Sequence, residues 1–153
     1  MILYDRTARR RLAQSVTMAE TPWMRVVGWL HRGTIASDEG LWFADCDAVH
    51  TLGMRSRLDL VFLDEHNRVV ATHAGVRPGR FIVCCPGARA VLELGPSFLQ
   101  RSGGLLGHEL ALEPGVDQAG SKAAVTASVL RARPPGAGAS STRRRSQIST
   151  ASR

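Results

Sequence analysis

The densest run of chemically capable side chains is Cys46–Asp64, CDAVHTLGMRSRLDLVFLD. It holds a thiol, an imidazole, hydroxyls, carboxylates and two arginines. Metal binding is the first chemistry to weigh. Cys46 and His50 are four apart, which would share one face of a helix but lie ~13 Å apart on a strand. No C-x-x-C or H-E-x-x-H supplies further ligands, so no metal or cofactor is expected. Nucleophilic catalysis has equally thin support, since there is no G-x-S-x-G elbow. Ser102-Gly103-Gly104 precedes leucines, and Gly103, Gly104 and Gly107 lack the Lys and Ser/Thr of a phosphate-binding loop.

Asp59 is the more telling residue. In a strand over Leu58–Asp64 it projects among apolar neighbours, where a carboxylate must be paired, heavily hydrogen-bonded or protonated. One reading is a structural ion pair with Arg55 or Arg57. The other is a polar centre in a cleft where Asp59, His50 and Thr51 converge. In a strand from Ala48, His50 and Met54 share a face while Thr51 and Arg55 share the other. Arg55 offers a fork suited to carboxylate or phosphate, and Arg80 is a second candidate for the same cleft.

The elements that must position these groups are short. Thr21-Pro22 reads as an N-cap with proline at the first helical position. Trp23, Val26, Val27 and Leu30 then fall on one helical face, and Gly33 is a stop. After Gly40 the period shortens. Leu41–Cys46, Ala48–Met54, Leu58–Asp64, Arg68–Val76, Phe81–Cys84, Ala88–Leu94 and His108–Leu112 read as strands. A helical turn follows Pro96. No helix is long enough for a crossover, which predicts antiparallel pairing. The expected fold is mainly β, with minor α: a small antiparallel sandwich or jelly-roll-like barrel with one N-terminal helix.

The chain of 153 residues suits one domain, and 44% hydrophobic with 22% charged residues is ordinary for a globular protein. The net charge of +7 sits in the ends. Residues 1–20 are net basic, 21–120 slightly acidic, and 131–153 carry six arginines and no acid. The expected organisation is therefore a basic, flexible extension over 1–20, one β-rich domain over 21–115, and an Ala/Ser/Arg-rich extension over 116–153. That last segment should be disordered from about residue 131, because it holds too little apolar surface to offset ordering. Arg143-Arg144-Arg145 could grip phosphate backbones, without aromatic residues for base stacking. No membrane span and no secretory signal are evident, and three cysteines with Cys84 and Cys85 adjacent fit a reducing compartment. These are read as small buried side chains in a cytoplasmic, monomeric protein.

His50-Thr51-Leu52-Gly53-Met54-Arg55 followed by Leu58–Asp64 closely resembles the signature "vHTfGMRfpIDvvFLD" of the prokaryotic family called domain of unknown function 192 (DUF192). Gly40-Leu41-Trp42-Phe43 is similar to its "GmlF", Arg77-Pro78-Gly79-Arg80 to its "kPwR", and Ala90–Leu94 to its "vLEl". The resemblance covers about Met24 to Leu112. It implies a jelly-roll type sandwich and brings no activity, substrate or cofactor. The chain departs from the pattern at Ser56-Arg57, where the family has "fp". It also departs at Gly95-Pro96 for "aG", and at Gly107-His108 for "GD".

Three functions remain. The leading one is a non-catalytic domain that binds a small ligand in a polar cleft around His50, Thr51, Met54, Arg55, Asp59 and Arg80. The second is a hydrolytic enzyme using His50 and Asp59 as an acid/base pair. The third is a nucleic-acid-associated protein acting through its Arg-rich ends.

Overall fold

Alternating apolar side chains along short segments build the body of the protein. The computed structural model describes residues 1–30 and 32–115. In chain order the elements are β1 (Ile2–Asp5), β2 (Arg10–Ala13), β3 (Ser15–Met18), α1 (Pro22–Val27), β4 (Glu39–Ala44) and β5 (Ala48–Val49). They continue with β6 (Leu58–Leu63), β7 (Val69–Val76), β8 (Val83–Cys84), β9 (Ala90–Leu94), α2 (Phe98–Ser102) and β10 (Leu110–Glu113). The fold is mainly β. A five-stranded sheet, β3-β4-β9-β6-β7, forms the centre. A three-stranded sheet, β10-β1-β2, and the pair β5-β8 complete it.

The central sheet is covered on both faces, which explains why every residue of β6 is buried. Val61 and Leu63 enter one core with Trp42, Leu92 and Leu94, closed by Leu3, Ala13 and Leu110 of the three-stranded sheet. Leu58, Leu60 and Phe62 enter a second core with Leu41, Phe43, Val91 and Trp29. The two-residue period of a strand sends neighbouring side chains to different cores.

Four expectations need correction. Residues 1–20 are not a flexible extension. They form β1, β2 and β3, with Leu3, Asp5, Ala13 and Val16 buried; the arginines masked a short amphipathic alternation. Pairing is antiparallel except between β3 and β4, which run parallel, because the long connection containing α1 serves as the crossover. The helix stops at Gly28, whose φ of 45° breaks it after six residues, and its apolar stripe does not enter a core. Trp23 is 69% and Val26 60% exposed. The cysteines are free but not buried: Cys46 and Cys85 are half-buried and Cys84 exposed. The extension expected over 116–153, with its arginine run, lies outside the described residues.

Candidate functional site

The predicted strand from Ala48 ends after Val49. Met54 N–H donates back to Thr51 O at 3.3 Å, and Gly53 sits at φ 73°, so His50–Met54 is a turn. The turn scatters the residues expected to converge. His50 and Met54 face a cavity of about 320 Å³ between the α1 segment and the central sheet. Thr51 is fully buried and points elsewhere: its Oγ1 donates to Arg77 O at 2.8 Å and accepts from Arg80 N–H at 2.9 Å. Arg55 and Arg80 are exposed, and neither lines that cavity.

Asp59 is buried, as its neighbours demanded, but neither Arg55 nor Arg57 reaches it. Its Oδ1 accepts from Gly75 N–H at 2.7 Å and its Oδ2 from Leu99 N–H at 2.8 Å. β6 and β7 change register between Leu58 and Leu60, and the bulge frees the Gly75 N–H from the ladder. The Leu99 N–H is one of the unpaired donors of the first turn of α2, where Ser97 makes no side-chain cap. Asp59 therefore satisfies two orphaned backbone donors. It shares its sheet face with Val61 and Leu63, the face opposite the cavity.

The residue that faces the cavity in its place is Glu93. It lies mid-strand in β9 with Leu41 and Leu60 as its register partners on either side, and only 4% of it is exposed. Burial pushes its carboxyl up to about 8, so it is largely protonated at neutral pH. No hydrogen bond reaches the carboxyl among the described residues. The glycine ending α1 lies close by: a Cβ placed on Gly28 would be 3.7 Å from Glu93 Oε2. Two further groups in the same cavity lack partners among the described residues, Trp29 Nε1 and His50 Nδ1, both buried. The Trp29 ring is held from outside by the Arg32 guanidinium, 5.4 Å from its centroid. Phe43, Val49 and Met54 supply apolar wall, and exposed Val26, Phe81 and Ile82 form the mouth.

The logic that singled out Asp59, a carboxylate inside an apolar strand, applies equally to Glu93 in Ala90-Val91-Leu92-Glu93-Leu94. Trp29 carried no comparable signal, since a tryptophan near a helix end is ordinary core material. Cys46 also lines the cavity, but its thiol donates to Ala48 O at 3.0 Å. Among the described residues no group of three or more His, Cys, Asp or Glu side chains is placed to hold a metal ion, and no helix is long and apolar enough to cross a membrane.

The sequence matches the family called DUF192, described as an uncharacterized ACR, over residues 4–112. The chain belongs to this family. The match begins inside β1, so the three N-terminal strands are part of the DUF192 domain. Two solved structures share the fold. One, from Sinorhizobium meliloti 1021, is described as a proposed transcription regulator. It is 22% identical, with a TM-score of 0.63 over 72% of this chain and 89% of that one. The other, a protein of unknown function from Novosphingobium aromaticivorans DSM 12444, is 20% identical. Its TM-score is 0.62 over 72% of this chain and 82% of its own. No curated protein matches the chain.

The DUF192 position usually occupied by Asp, here His108, has an assigned partner. His108 Nδ1 lies 2.9 Å from Asp5 Oδ2, and Arg10 Nε lies 3.6 Å from the same oxygen. Burial raises the Asp5 carboxyl. The Ala8 N–H, the His108 hydrogen bond and the charges of His108 and Arg10 outweigh that and hold it below the ordinary range. This triad ties β1 to the segment entering β10.

Proposed function

We propose that the domain binds a small, largely apolar molecule in the cavity beneath α1, without acting on it. One observation carries the reading: Glu93, His50 Nδ1 and Trp29 Nε1 lie around a single apolar-walled cavity. Among the described residues His50 Nδ1 and Trp29 Nε1 are buried without a partner, and no hydrogen bond reaches the Glu93 carboxyl. Each unpartnered buried polar group costs about 1–3 kcal/mol of folding stability. A ligand with one hydrogen-bond acceptor for the indole N–H and polar atoms for Glu93 and His50 would recover that cost. The half-buried strap of α1, lying over the cavity with no buried residue, suits ligand entry. Free Cys46, Cys84 and Cys85 support a reducing compartment, the cytoplasm, as the setting.

The hydrolytic alternative is not supported, because His50 and Asp59 serve opposite faces of the sheet and both Asp59 oxygens hold structural N–H groups. The nucleic-acid alternative loses part of its motivation too. Arg6 pairs with Glu109 at 3.2 Å, and Arg10 serves Asp5 and the Ser102 carbonyl. A thermal-shift screen of metabolites, followed by NMR of the Trp29 indole N–H and His50 ring, tests the proposal. A true ligand shifts both signals and loses affinity in Glu93→Gln and His50→Ala. Hits that leave the Trp29 and His50 signals unmoved would defeat it.

A further inference from the structure

A second concavity, which meets the α1 cavity only at Ile82, lies between β7 and β8. It encloses about 700 Å³ of open, polar space and is lined in part by Thr72, His73, Arg77 and Arg80. Among the described residues no carboxylate lines it. Several other arginines are already engaged: Arg6, Arg10 and Arg32 with carboxylates, and Arg25, Arg57 and Arg101 with backbone carbonyls. The guanidinium groups of Arg77 and Arg80 are exposed and form no such bond among the described residues.

The turn that carries them is fixed to an unusual degree. Buried Thr51 makes four hydrogen bonds to it. Beyond the two of its hydroxyl, Thr51 N–H donates to Arg80 O at 2.8 Å and Gly79 N–H donates to Thr51 O at 2.8 Å. Gly79, at φ 83°, lets the turn reverse between the two arginines. One rigid anchor thus holds both Cα positions, so two cationic forks are presented with little loss of backbone freedom on binding. Guanidinium forks match the paired oxygens of phosphate and carboxylate groups.

We infer that the Arg77–Arg80 turn is an oxyanion-binding site, taking the phosphate or carboxylate group of a small ligand. Two arginines over a bounded concavity fit one anionic group better than a polyanion, which would require a longer basic track.

The test uses the full chain, titrated with inorganic pyrophosphate and with malonate at constant ionic strength, followed by amide and arginine Nε–H NMR signals. Saturable shifts are expected at Gly79, Arg80 and the Arg77 side chain. The Arg77→Ala/Arg80→Ala variant should lose at least tenfold in affinity, and Arg89→Ala should lose none. Lysine at both positions keeps the charge but not the fork, and should fall in between. Tighter binding of pyrophosphate or of malonate identifies which oxyanion the site prefers, either result upholding it. Absence of saturation with both probes, or equal shifts at every exposed arginine, overturns it. Unchanged remaining amide signals confirm that the double variant is folded.

Discussion

Asp59 and Glu93 are buried carboxylates on adjacent strands, one register step apart, and they point to opposite faces of the same sheet. Asp59 stands beside Leu94 while Glu93 stands beside Leu60. Asp59 takes two backbone N–H groups, and Glu93 takes none among the described residues. Similar burial therefore goes with a structural clamp on one face and a protonated acid facing a cavity on the other. The difference lies in what each face offers: a bulge and a bare helix end against an apolar wall.

Glu93 makes stability depend on pH in a direction unusual for a carboxyl group. Its folded value, about 8, stands above the ordinary 4.5, so the folded chain binds a proton that the unfolded chain has released. Stability from this group is full below about 4.5 and falls as pH rises toward 8. The whole excursion is on the order of 4 kcal/mol. Urea denaturation at pH 5 and pH 8 should show Glu93→Gln gaining on the parent as pH rises. Parallel curves for the two proteins would refute the assignment.

Asp5 works in the opposite sense. Its folded carboxyl is held below the ordinary 3.8, so its contribution is present at neutral pH and lost as pH falls below that value. Asp5→Asn should lower the melting temperature at pH 7, and the gap to the parent should narrow at the acid end. His108→Ala should produce part of the same loss, because Arg10 and the Ala8 N–H still hold the carboxylate. A gap that widens in acid would contradict this.

Much of the architecture was legible because strand alternation is local. β4, β6, β7, β9 and β10 stand within a few residues of their expected positions, as does the turn after Pro96. Thr21 caps α1 through Met24 N–H at 3.2 Å, as its sequence position requires. β1–β3 were obscured by the arginines of 6–11, whose charge hid the alternation of Ile2–Asp5 and Arg10–Met18. The site was half legible. His50 and Met54 do share one cavity, but through a turn at Gly53 rather than a strand face. Asp59 was rightly singled out as buried, yet its partners are main-chain donors brought by a bulge and by α2, which no side-chain pattern encodes. Glu93 had the same local signature, and only the sheet order shows that it faces the cavity.

Gly95 is a second departure from the DUF192 pattern with a structural consequence. A Cβ placed on it would lie 2.0 Å from Ala36 O and 3.0 Å from Ser37 Cα. Backbone cannot swing aside as a flexible side chain can. Gly95→Ala should destabilise the domain by at least ~1–3 kcal/mol, the ordinary cost of overpacking. Gly33→Ala is the matched control, since nothing lies within 4 Å of its added Cβ. Melting curves of the two variants decide the matter, and similar midpoints would show that the Ala36 segment gives way.

The Asp59 clamp yields the sharpest mutational contrast. Removing the carboxylate in Asp59→Ala strands the Gly75 and Leu99 N–H groups inside the protein. At about 1–3 kcal/mol for each unsatisfied buried donor, the loss should total roughly 2–6 kcal/mol. Asp59→Asn keeps one acceptor oxygen and turns an NH₂ toward the other donor, so it should rescue only part of the loss. Asp64 offers the comparison. Its Oδ1 also accepts two backbone N–H groups, from His66 and Arg68, both at 2.8 Å, but in an exposed turn where water replaces it. Asp64→Ala should therefore cost clearly less than Asp59→Ala in chemical denaturation at pH 7. Hydrogen exchange adds a local readout: Gly75 and Leu99 amides should lose protection selectively in Asp59→Ala, ahead of the β6 and β9 core. Equal destabilisation by the two alanine variants, with Gly75 and Leu99 still protected, would mean that Asp59 does not hold the bulge and α2 together.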